Sequence, residues 1–511
     1  MPLDATADPA STDTVPAFVR AIAARYGDRP ALELDGDVLT YRGLDEASAA
    51  LGRGLLASGV GRGARVGLLL ANTPAFAVAW AAVTRIGALA VAMSTFYKAA
   101  ELRRVIRHAD LQGIIAQPSM LSQDFVAHLE QAFPDLATAS STDLVLPAAP
   151  YLRWIAVSGD DPPPWALPQA WLESGAKGTA FDDALLAEVE SEVHPTDLAT
   201  MIYTSGQSAD PKGVPHTHGS VISKTHYLRD MMGITADARP EAMMPFFWVG
   251  GLAVTLLPTL EAGGTIICRE RSMVSSPPLG AVGGPVATEP LPGWKGFPGL
   301  GMSETFAMFS WGYAGSAPGH SYIPMDFFEP GYDVKVVGRD GSPAPDGQRG
   351  EILLRGPTVT PGHYKIDRAK LFDADGYYRT GDEGEFEGTR LHFLGRLGDM
   401  IKTSMANVAP PEVERELVAI DGIVTAHVVA LPDQQRGQLV GAAIVVEEGR
   451  SLDARDITAE LRSRLSSYKV PRRIAFVTRD EIPLTPSNKV DKRRLAALIK
   501  ERAVPSEARP E

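Results

Sequence analysis

Hydrophobic and polar positions in the first 120 residues follow two periods that alternate along the chain. Apolar residues at helical spacing predict helices at 15–26, 44–55, 75–85 and 99–108. Short apolar runs between them predict strands at 31–34, 38–41, 66–70, 88–92 and 113–116, with Asp35-Gly36 as a hairpin turn between the first two. Strands joined by helices form βαβ units, so this part of the chain predicts a parallel sheet covered by helices.

The middle of the chain contains fewer predicted elements. Residues 136–180 are rich in Ala, Ser, Pro and Gly and predict a long surface excursion. Apolar runs at 198–203 and 264–268 predict buried strands. Two further runs, at 334–337 and 351–354, predict a small β-rich unit.

After Arg396 the pattern predicts a compact α+β domain of about 110 residues, which is an ordinary domain size. Its predicted helices lie at 411–420, 457–465 and 491–499, and its predicted strands at 426–431, 442–446 and 474–477. The first of these helices begins with proline and glutamates, which favour a helix N-terminus.

Composition and charge restrict the class of protein. A chain of 511 residues predicts about three structural units, and 45% hydrophobic with 22% charged residues is ordinary for a soluble globular protein. The net charge of -13 argues against nucleic acid and against an anionic membrane surface as main partners. The chain contains one cysteine, Cys268, and neither a signal peptide nor an apolar run of 18 residues. We therefore expect a cytoplasmic soluble enzyme.

The stretch 203–213 directly follows the predicted strand 198–203 and reads Tyr-Thr-Ser-Gly-Gln-Ser-Ala-Asp-Pro-Lys-Gly. Hydroxyls and bare backbone N–H groups can surround phosphate oxygens, and glycine lets the backbone come close. Lys212 adds a point charge that suits a polyphosphate. The stretch lacks the glycine before the lysine and the Ser or Thr after it that define a P-loop. Without other motifs, an ordinary polar turn remains an alternative interpretation.

The stretch resembles the phosphate loop of the adenylate-forming family, usually written T-S-G-T-T-G-x-P-K-G, with Gln207, Ser208 and Ala209 as departures. Four more segments resemble motifs of that family and follow in its order, namely Gly299–Glu304, Tyr378–Asp382, Gly395–Lys402 and Pro483–Lys489. The family includes acyl-CoA synthetases, aryl-CoA ligases, luciferases and peptide-synthetase adenylation domains. The resemblance runs from near residue 15 to near residue 500.

The resemblance implies an acid–thiol ligase of the AMP-forming acyl-CoA synthetase type. ATP would activate a carboxylic acid as an acyl-adenylate, and coenzyme A would then displace AMP. Phe247 and Trp248 favour a fatty or other lipophilic acid, because they would form an apolar wall, although a core role for Trp248 is an alternative. The expected fold is α/β. A large N-terminal domain at 1–395 would contain doubly wound sheets and the β-rich unit, and a small mobile α+β domain would occupy 396–511.

The resemblance also implies which residues bind the nucleotide. They are Thr204, Ser205, Gly206, Gln207, Ser208, Lys212, Gly299, Leu300, Gly301, Met302, Ser303, Asp382, Arg396 and Lys489. Among them, Leu300 would pack on adenine, Ser303 would contact the α-phosphate and Asp382 would accept hydrogen bonds from the ribose hydroxyls.

Lys489, Thr204 and Glu304 are the expected catalytic residues. Glu304 would bind Mg²⁺, because a hard cation prefers carboxylate oxygen. Lys489 would bridge the attacking carboxylate, the α-phosphate and the ribose, and a preorganised charge of this kind is typically worth ~3–4 kcal/mol. Read from local sequence alone, Lys489 is a solvated lysine before the basic run 492–494. His216 and His218 lack zinc-like neighbours and are interpreted as structural.

Three departures from the family pattern affect the later steps. Gly398 takes the hinge position, where glycine can absorb a large backbone rotation. Met405 replaces a glycine of the pantetheine channel and would obstruct it. The stretch 269–298 is much shorter than in the family and is rich in glycine and proline, so part of the acyl pocket would be deleted. A second subunit can close such a gap, which makes oligomerisation an open alternative.

Two alternative functions therefore stay open beside coenzyme A ligation. One is an adenylating enzyme that loads a carrier-protein thiol. The other is a degenerate, non-catalytic homologue that still binds AMP or ATP. We expect no nucleic acid and no integral membrane among the partners.

Overall fold

The computed structural model describes residues 8, 12–120, 123–139, 144–159, 161–174, 180–205, 211–269, 300–310, 323–338, 340–396, 400–403, 406–484 and 490–505. The helices are α1 (Val15–Tyr26), α2 (Tyr41–Ala57), α3 (Pro74–Arg85), α4 (Ala99–His108), α5 (Phe125–Ala132), α6 (Gln169–Ser174), α7 (Asp183–Ser191), α8 (His218–Met231), α9 (Leu257–Ala262), α10 (Pro410–Val418), α11 (Ala454–Arg464) and α12 (Lys492–Arg502).

The strands follow the predicted apolar runs for most of the chain. They are β1 (Pro30–Leu34), β2 (Asp37–Thr40), β3 (Arg65–Leu69), β4 (Leu89–Ala92), β5 (Gly113–Ala116), β6 (Ser119–Met120), β7 (Gln123–Asp124), β8 (Trp154–Val157), β9 (Leu167–Pro168), β10 (Leu198–Ser205), β11 (Pro211–Thr217), β12 (Ile266–Cys268), β13 (Gly301–Met302), β14 (Ala307–Met308), β15 (Ile323–Pro324), β16 (Asp333–Val337), β17 (Gly350–Arg355), β18 (Tyr378–Glu387), β19 (Arg390–Arg396), β20 (Ile401–Thr403), β21 (Ala406–Val408), β22 (Ile423–Asp433), β23 (Gly437–Val446), β24 (Arg473–Phe476) and β25 (Val504–Pro505).

The chain divides into two compact units. The first contains Met1–Thr95, Ile106–Tyr203 and Gly213–Gly395. The second contains Phe96–Val105, Thr204–Lys212 and Arg396–Glu511.

The main sheet of the first unit has seven strands in the order β11-β10-β4-β3-β5-β8-β9. The pairs β3–β4 and β3–β5 are parallel, as are β10–β4, β5–β8 and β8–β9. The order reverses at β3, which is the arrangement of a doubly wound sheet. The predicted α/β fold class is confirmed. The same unit holds a three-stranded sheet, β12-β1-β2, and a five-stranded sheet, β15-β19-β18-β17-β16.

Two expectations from the sequence are corrected. Residues 136–180 are not only a surface excursion, because β8 inside this range is fully buried and pairs with β5 in the main sheet. Its four apolar residues are too few to stand out from the surrounding loop composition. The stretch 204–213 is not all loop, since β10 continues to Ser205 and β11 begins at Pro211.

The second unit is built on a sheet with the path β21-β20-β23-β24-β25, in which β22 also pairs with β23. Helix α10 places Val413 and Leu417 in the core beside this sheet, and α11 contributes Ile457 and Leu461. Helix α12 buries Leu495 and Ile499 in a second cluster. Among the described helices of either unit, none is both long and apolar enough to cross a membrane.

Candidate functional site

Residues 300–304 of the Gly299–Glu304 motif belong to a strained hairpin in the first unit. Strands β13 and β14 pair with Gly301 opposite Met308, and residues 303–305 form a 3₁₀ turn between them. A Cβ on Gly301 would lie 2.9 Å from the Met308 Cα atom, so this position requires glycine. Phe306 and Ala307 have φ angles of 49° and 109°. Non-glycine residues adopt such angles at a cost of about 1–3 kcal/mol each, and strain of this kind concentrates at functional sites.

Residues 358–360 hold the backbone of this hairpin. The Thr360 amide donates to the Glu304 carbonyl at 2.7 Å, and the Thr358 hydroxyl donates to the Thr305 carbonyl at 3.2 Å. The Thr360 hydroxyl also donates to the carbonyl of Pro215 at 2.7 Å. Both threonines are buried, at 0% and 1% exposure. The turn that carries Glu304 is therefore fixed by neighbours from a distant part of the sequence.

The carboxylate of Glu304 receives two hydrogen bonds on one oxygen. His363 Nε2 and the Tyr378 hydroxyl each lie 3.1 Å from Glu304 Oε1. The Tyr378 hydroxyl is also 3.4 Å from His363 Nε2. Both donors are buried, whereas the Glu304 side chain is 16% exposed. The arrangement orients a carboxylate at the edge of the buried region.

His216, in β11 of the main sheet, supports the same turn. Its Nε2 atom lies 2.7 Å from the Ser303 carbonyl oxygen, and its ring packs on Phe306 with centroids 4.8 Å apart. Complete burial lowers the pKa of His216 to about 4, although the Ser303 carbonyl and Glu304 oppose this change. A neutral, fully buried ring is what its structural interpretation predicts. His218 is the first residue of α8 and is buried as well.

A distortion in β18 positions Asp382. Glu351 pairs with Glu383 and Leu353 with Arg379, so the register shifts between them. Gly381 has a φ of 69° within this shift, and such bulges commonly redirect a side chain. The Thr380 hydroxyl accepts a hydrogen bond from the Asp382 amide at 3.0 Å, and Asp382 is 6% exposed. Strand β18 thus carries both Tyr378, which contacts Glu304, and the predicted ribose ligand.

The flanks of the predicted phosphate loop are strand residues. Thr204 lies near the end of β10 and Lys212 near the start of β11, and both are half-buried. β10 and β11 are neighbours in the main sheet. The Gly213 carbonyl accepts a hydrogen bond from the Tyr364 amide at 2.8 Å. Loop residues 206–208 lie outside the described residues.

The structure describes only some of the other residues that are predicted to bind the nucleotide. Leu300 is buried in a hydrophobic cluster with Met302 and Phe309. Ser205 ends β10 and Arg396 ends β19. Gly299, Lys489, Gly398, Met405 and the short stretch from 270 onward lie outside the described residues.

The segment around the predicted acyl wall is fixed by Asn72. Its side-chain nitrogen donates to the carbonyls of Ala242 and Met244 at 2.9 and 2.8 Å, and its oxygen accepts from the Phe246 amide at 2.7 Å. Phe247 is buried and contacts the half-buried Trp248 edge to face, with centroids 5.8 Å apart. A π-helix, Gly250–Leu256, follows directly, and π-helical turns occur often at functional sites.

The side chains near Glu304 that could ligate a metal fit a cation whose other ligands come mainly from a bound substrate. Among the residues described, no group of three or more His, Cys, Asp or Glu side chains could hold a metal ion. Mg²⁺ usually binds one or two carboxylates and completes its shell with phosphate oxygens and water. The single, oriented carboxylate of Glu304 is compatible with that mode.

Sequence reasoning missed the residues that hold Glu304. Tyr378 belongs to a quoted motif, but it was given no role, and His363, Thr358 and Thr360 were not selected. The available signal was weak, because His363 lies between a proline-rich turn and a polar stretch without a clear period.

Comparison with known families agrees with this geometry. The family described as AMP-binding enzyme matches residues 19–281, which is half of the chain, and the AMP-binding enzyme C-terminal domain matches residues 412–489. The chain therefore belongs to the AMP-binding, adenylate-forming enzyme family. The match to the first domain ends at Ala281, inside the short stretch.

Individual relatives span nearly the whole chain. It is 27% identical over 538 residues to a sulfoacetate–CoA ligase of Cupriavidus necator, covering 96% of this chain and 99% of the relative. It is 28% identical over 517 residues to a feruloyl-CoA synthase of an Amycolatopsis species, covering 92% and 94%. The fold is similar to that of a double mutant of o-succinylbenzoate CoA synthetase from Bacillus subtilis, with a TM-score of 0.69, 20% identity and coverage of 93% and 97%.

Proposed function

We propose that this protein uses ATP to convert a carboxylic acid to an acyl-adenylate and then transfers the acyl group to coenzyme A. The observation that carries the proposal is the hydrogen bond from Tyr378 to Glu304. It joins the hairpin of the predicted metal-binding carboxylate to the strand of the predicted ribose ligand, Asp382. The predicted enzyme class, an AMP-forming acid–thiol ligase, is confirmed by the family and by the relatives, which are named as CoA ligases or synthases.

In the first step, the residues of this chain would position the nucleotide and neutralise its charge. Thr204 and Lys212 would hold the phosphates from the ends of β10 and β11, and Asp382 would accept hydrogen bonds from the ribose. Glu304 would bind Mg²⁺, which supplies charge neutralisation at the phosphate oxygens when it is bound with ATP. Reactions of this type depend mainly on positioning and electrostatics, which is what these groups provide.

The acid is proposed to be fatty or otherwise lipophilic. The support is the apolar pair Phe247 and Trp248, which Asn72 fixes through its bonds to the preceding segment. The relatives are named for acids as different as sulfoacetate and ferulate. A panel should therefore contain both of these acids beside saturated acids from acetate to long-chain fatty acids.

ATP–pyrophosphate exchange with this panel tests the first step. We expect exchange to be highest with lipophilic acids, and no exchange with any acid would reject the enzyme proposal. Lys489→Ala should lower exchange by about 10²–10³-fold, because it removes a charge needed in the transition state, and should leave ATP binding nearly unchanged. Arg493→Ala is the matched control, because it removes a neighbouring positive charge from the exposed side of α12 and should leave exchange unaffected.

The acceptor is tested by supplying either free coenzyme A or a carrier protein with a pantetheine arm. Thioester formation with coenzyme A alone supports the main proposal, and formation only on the carrier protein favours the alternative. A degenerate homologue is the second candidate, because the stretch 269–298 is short. Calorimetric ATP binding without exchange on any acid would identify that candidate.

The proposal also covers the domain boundaries, the hinge between the domains, the thiol channel and the oligomeric state. We propose domains at 1–395 and 396–511, with rotation at Gly398 between the two half-reactions. Met405 would then restrict the thiol channel, and a second subunit would complete the wall that the short stretch leaves open. A cytoplasmic location stays a prediction that rests on the amino-acid composition.

A further inference from the structure

Residues 358–363 contact both the backbone and the side chain of Glu304. The Thr360 amide binds its carbonyl oxygen at 2.7 Å, and His363 Nε2 binds its carboxylate at 3.1 Å. We propose that His363 is a positioning residue that sets the orientation of the Glu304 carboxylate toward the metal–ATP complex, assisted by the Tyr378 hydroxyl. This inference rests on the proposed function, since it assigns a role to the Glu304 site.

The geometry gives His363 one polar function. Its side chain is 2% exposed, and Nδ1 is buried without a hydrogen-bond partner among the residues that the structure describes. Nε2 faces a carboxylate oxygen, so it must carry the hydrogen and donate it. The ring therefore acts as a dedicated donor to Glu304.

Two donors on the same oxygen constrain the side chain more than one donor does. Tyr378 approaches Oε1 at 3.1 Å as well, and its hydroxyl lies 3.4 Å from His363 Nε2. A free glutamate side chain loses up to about 2 kcal/mol of rotamer entropy when it is ordered. Because His363 and Tyr378 order Glu304 in advance, less of this cost falls on metal binding. Mutation of a residue that hydrogen-bonds to a metal ligand typically lowers metal affinity or activity by about 10–100-fold.

A purely structural role for His363 makes a different prediction. A buried ring that only fills space would, when removed, weaken every ligand of the unit and lower stability. A positioning role concerns the cation and leaves nucleotide binding without the cation intact. The two roles therefore separate when binding is measured with and without Mg²⁺.

The test uses the full chain with His363→Ala, His363→Gln and Tyr378→Phe. Calorimetry measures ATP binding across a Mg²⁺ titration and AMP binding with Mg²⁺ removed by chelation, and urea unfolding measures stability. We expect His363→Ala to need about 10–100-fold more Mg²⁺ for half-maximal ATP binding, with AMP binding within about twofold of wild type. His363→Gln should restore most of the Mg²⁺ response, because its amide can donate to the carboxylate. Tyr378→Phe should give a smaller change in the same direction.

His392→Ala is the matched control. His392 Nε2 lies 3.3 Å from Glu387 Oε2 in a comparable histidine–glutamate pair, but this pair is more exposed, at 21% and 68%. The His392→Ala variant should therefore have the same Mg²⁺ titration as the wild type.

An unchanged Mg²⁺ response in His363→Ala, or an equal loss of AMP binding, would overturn the inference. If His363→Ala does not fold, Tyr378→Phe decides, and a wild-type Mg²⁺ response in that variant also overturns it. Failure of the wild-type protein to bind ATP at all would instead reject the proposed function.

Discussion

The imidazole of His216 donates a hydrogen bond through Nε2 to the Ser303 carbonyl, at 2.7 Å, one residue before Glu304. The carbonyl can only accept, so Nε2 carries the hydrogen. Nδ1 is buried and has no partner among the described residues. A second hydrogen on Nδ1 would be a buried donor without a partner, so burial keeps the ring neutral although the Ser303 contact itself would also form with a protonated ring.

The first prediction concerns stability in acid. Burial lowers the pKa of both His216 and His218 to about 4, while an unfolded histidine titrates near 6.5. A lowered folded pKa gives stability that is complete above pH 6.5 and is lost as the pH falls toward 4. Each ring should contribute roughly 3 kcal/mol to the free energy of unfolding above pH 6.5, and this contribution is lost as the pH falls toward 4.

His216→Gln tests this by removing one of the two groups. Urea unfolding measured at several pH values from 8 to 4 should show a shallower loss of stability in the variant than in the wild type. Above pH 7 the difference between the two proteins should be constant. A variant that loses stability as steeply as wild type between pH 6.5 and 4 would show that His216 does not contribute.

The second prediction concerns the ion pair behind the hairpin. Lys224 pairs with Glu329 and donates to the Met308 carbonyl at 2.7 Å, and the two side chains are 0% and 3% exposed. Burial lowers the pKa of Lys224 to about 8 and raises that of Glu329. Lys224→Met should destabilise the protein by about 3–5 kcal/mol, because it leaves a buried acid without its partner.

Replacing both residues should be much less harmful. Lys224→Met with Glu329→Met should recover most of the loss, since buried ion pairs are often replaceable by apolar side chains of similar volume. Lys365→Met is the control, because Lys365 pairs with Asp110 at 2.8 Å with 45% of its side chain exposed and should cost only about 0–1 kcal/mol. Equal unfolding midpoints for Lys224→Met and Lys365→Met in urea would contradict the prediction.

The secondary structure could be predicted well wherever a local pattern determines the element. The hairpin at Asp35-Gly36 forms as expected, with φ angles of 50° and 101° that suit the predicted turn. Helix α1 and helix α4 have the predicted bounds. Strand β8 was not predicted, because its pairing with β5 depends on distant residues and not on its own composition.

The candidate site shows the same difference between local sequence patterns and contacts over long sequence distances. Short motifs made Glu304 and Asp382 candidate site residues, since each lies in a run of residues with its own signature. The contact between Glu304 and His363 spans 59 positions, so no local period reports it. The backbone strain at Phe306 and Ala307 could not be predicted either, because neither residue type suggests a positive φ.

The third prediction concerns the anchoring of the N-terminal segment. His226 Nδ1 lies 2.6 Å from Glu261 Oε1 and Nε2 lies 3.0 Å from the Thr12 carbonyl. The carbonyl only accepts, and so does the carboxylate when ionised, so the ring makes both bonds as a cation. Burial opposes this charge, and Arg229 does too, but Glu261 and Thr12 together raise the pKa of His226 above its usual 6.5.

A raised folded pKa gives stability that is complete below pH 6.5 and is lost as the pH rises through the folded pKa. Hydrogen exchange at the amides near Val15, corrected for intrinsic rates, should therefore show less protection at pH 9 than at pH 6. His226→Gln should remove most of this pH dependence. A second anchor of the segment, the bond from the Val15 amide to His218 Nδ1 at 3.2 Å, does not titrate in this range, so the pH dependence reports on His226. Protection that increases from pH 6 to 9 would refute the assignment.

The fourth prediction concerns a buried charge cluster in the second unit. Lys469 Nζ lies 2.6 Å from Glu101 and 2.9 Å from Glu412, and all three side chains are at most 11% exposed. Glu101 also accepts hydrogen bonds from the Ser466 hydroxyl at 3.0 Å and the Lys98 amide at 2.9 Å. The cluster has one cation for two carboxylates, and burial raises the pKa of Glu412 despite the attraction of Lys469.

The three members of the cluster should respond differently to substitution. Lys469→Met should cost about 3–5 kcal/mol, because it leaves two buried carboxylates without their cation. Glu101→Gln should be harmful as well, since Glu101 is the more extensively hydrogen-bonded acid. Glu412→Gln should be tolerated or stabilising near pH 8, because a neutral amide balances the charge and still accepts from Lys469.

The pH dependence separates this explanation from simple packing. Because the folded pKa of Glu412 is raised above 4.5, its favourable contribution is complete below pH 4.5 and is lost as the pH rises through the folded value. Glu412→Gln imitates the protonated acid, so its advantage over wild type in urea unfolding should grow from pH 4.5 to pH 8. A variant that is less stable than wild type by the same amount at both pH values would show that Glu412 acts through its shape and not through its charge.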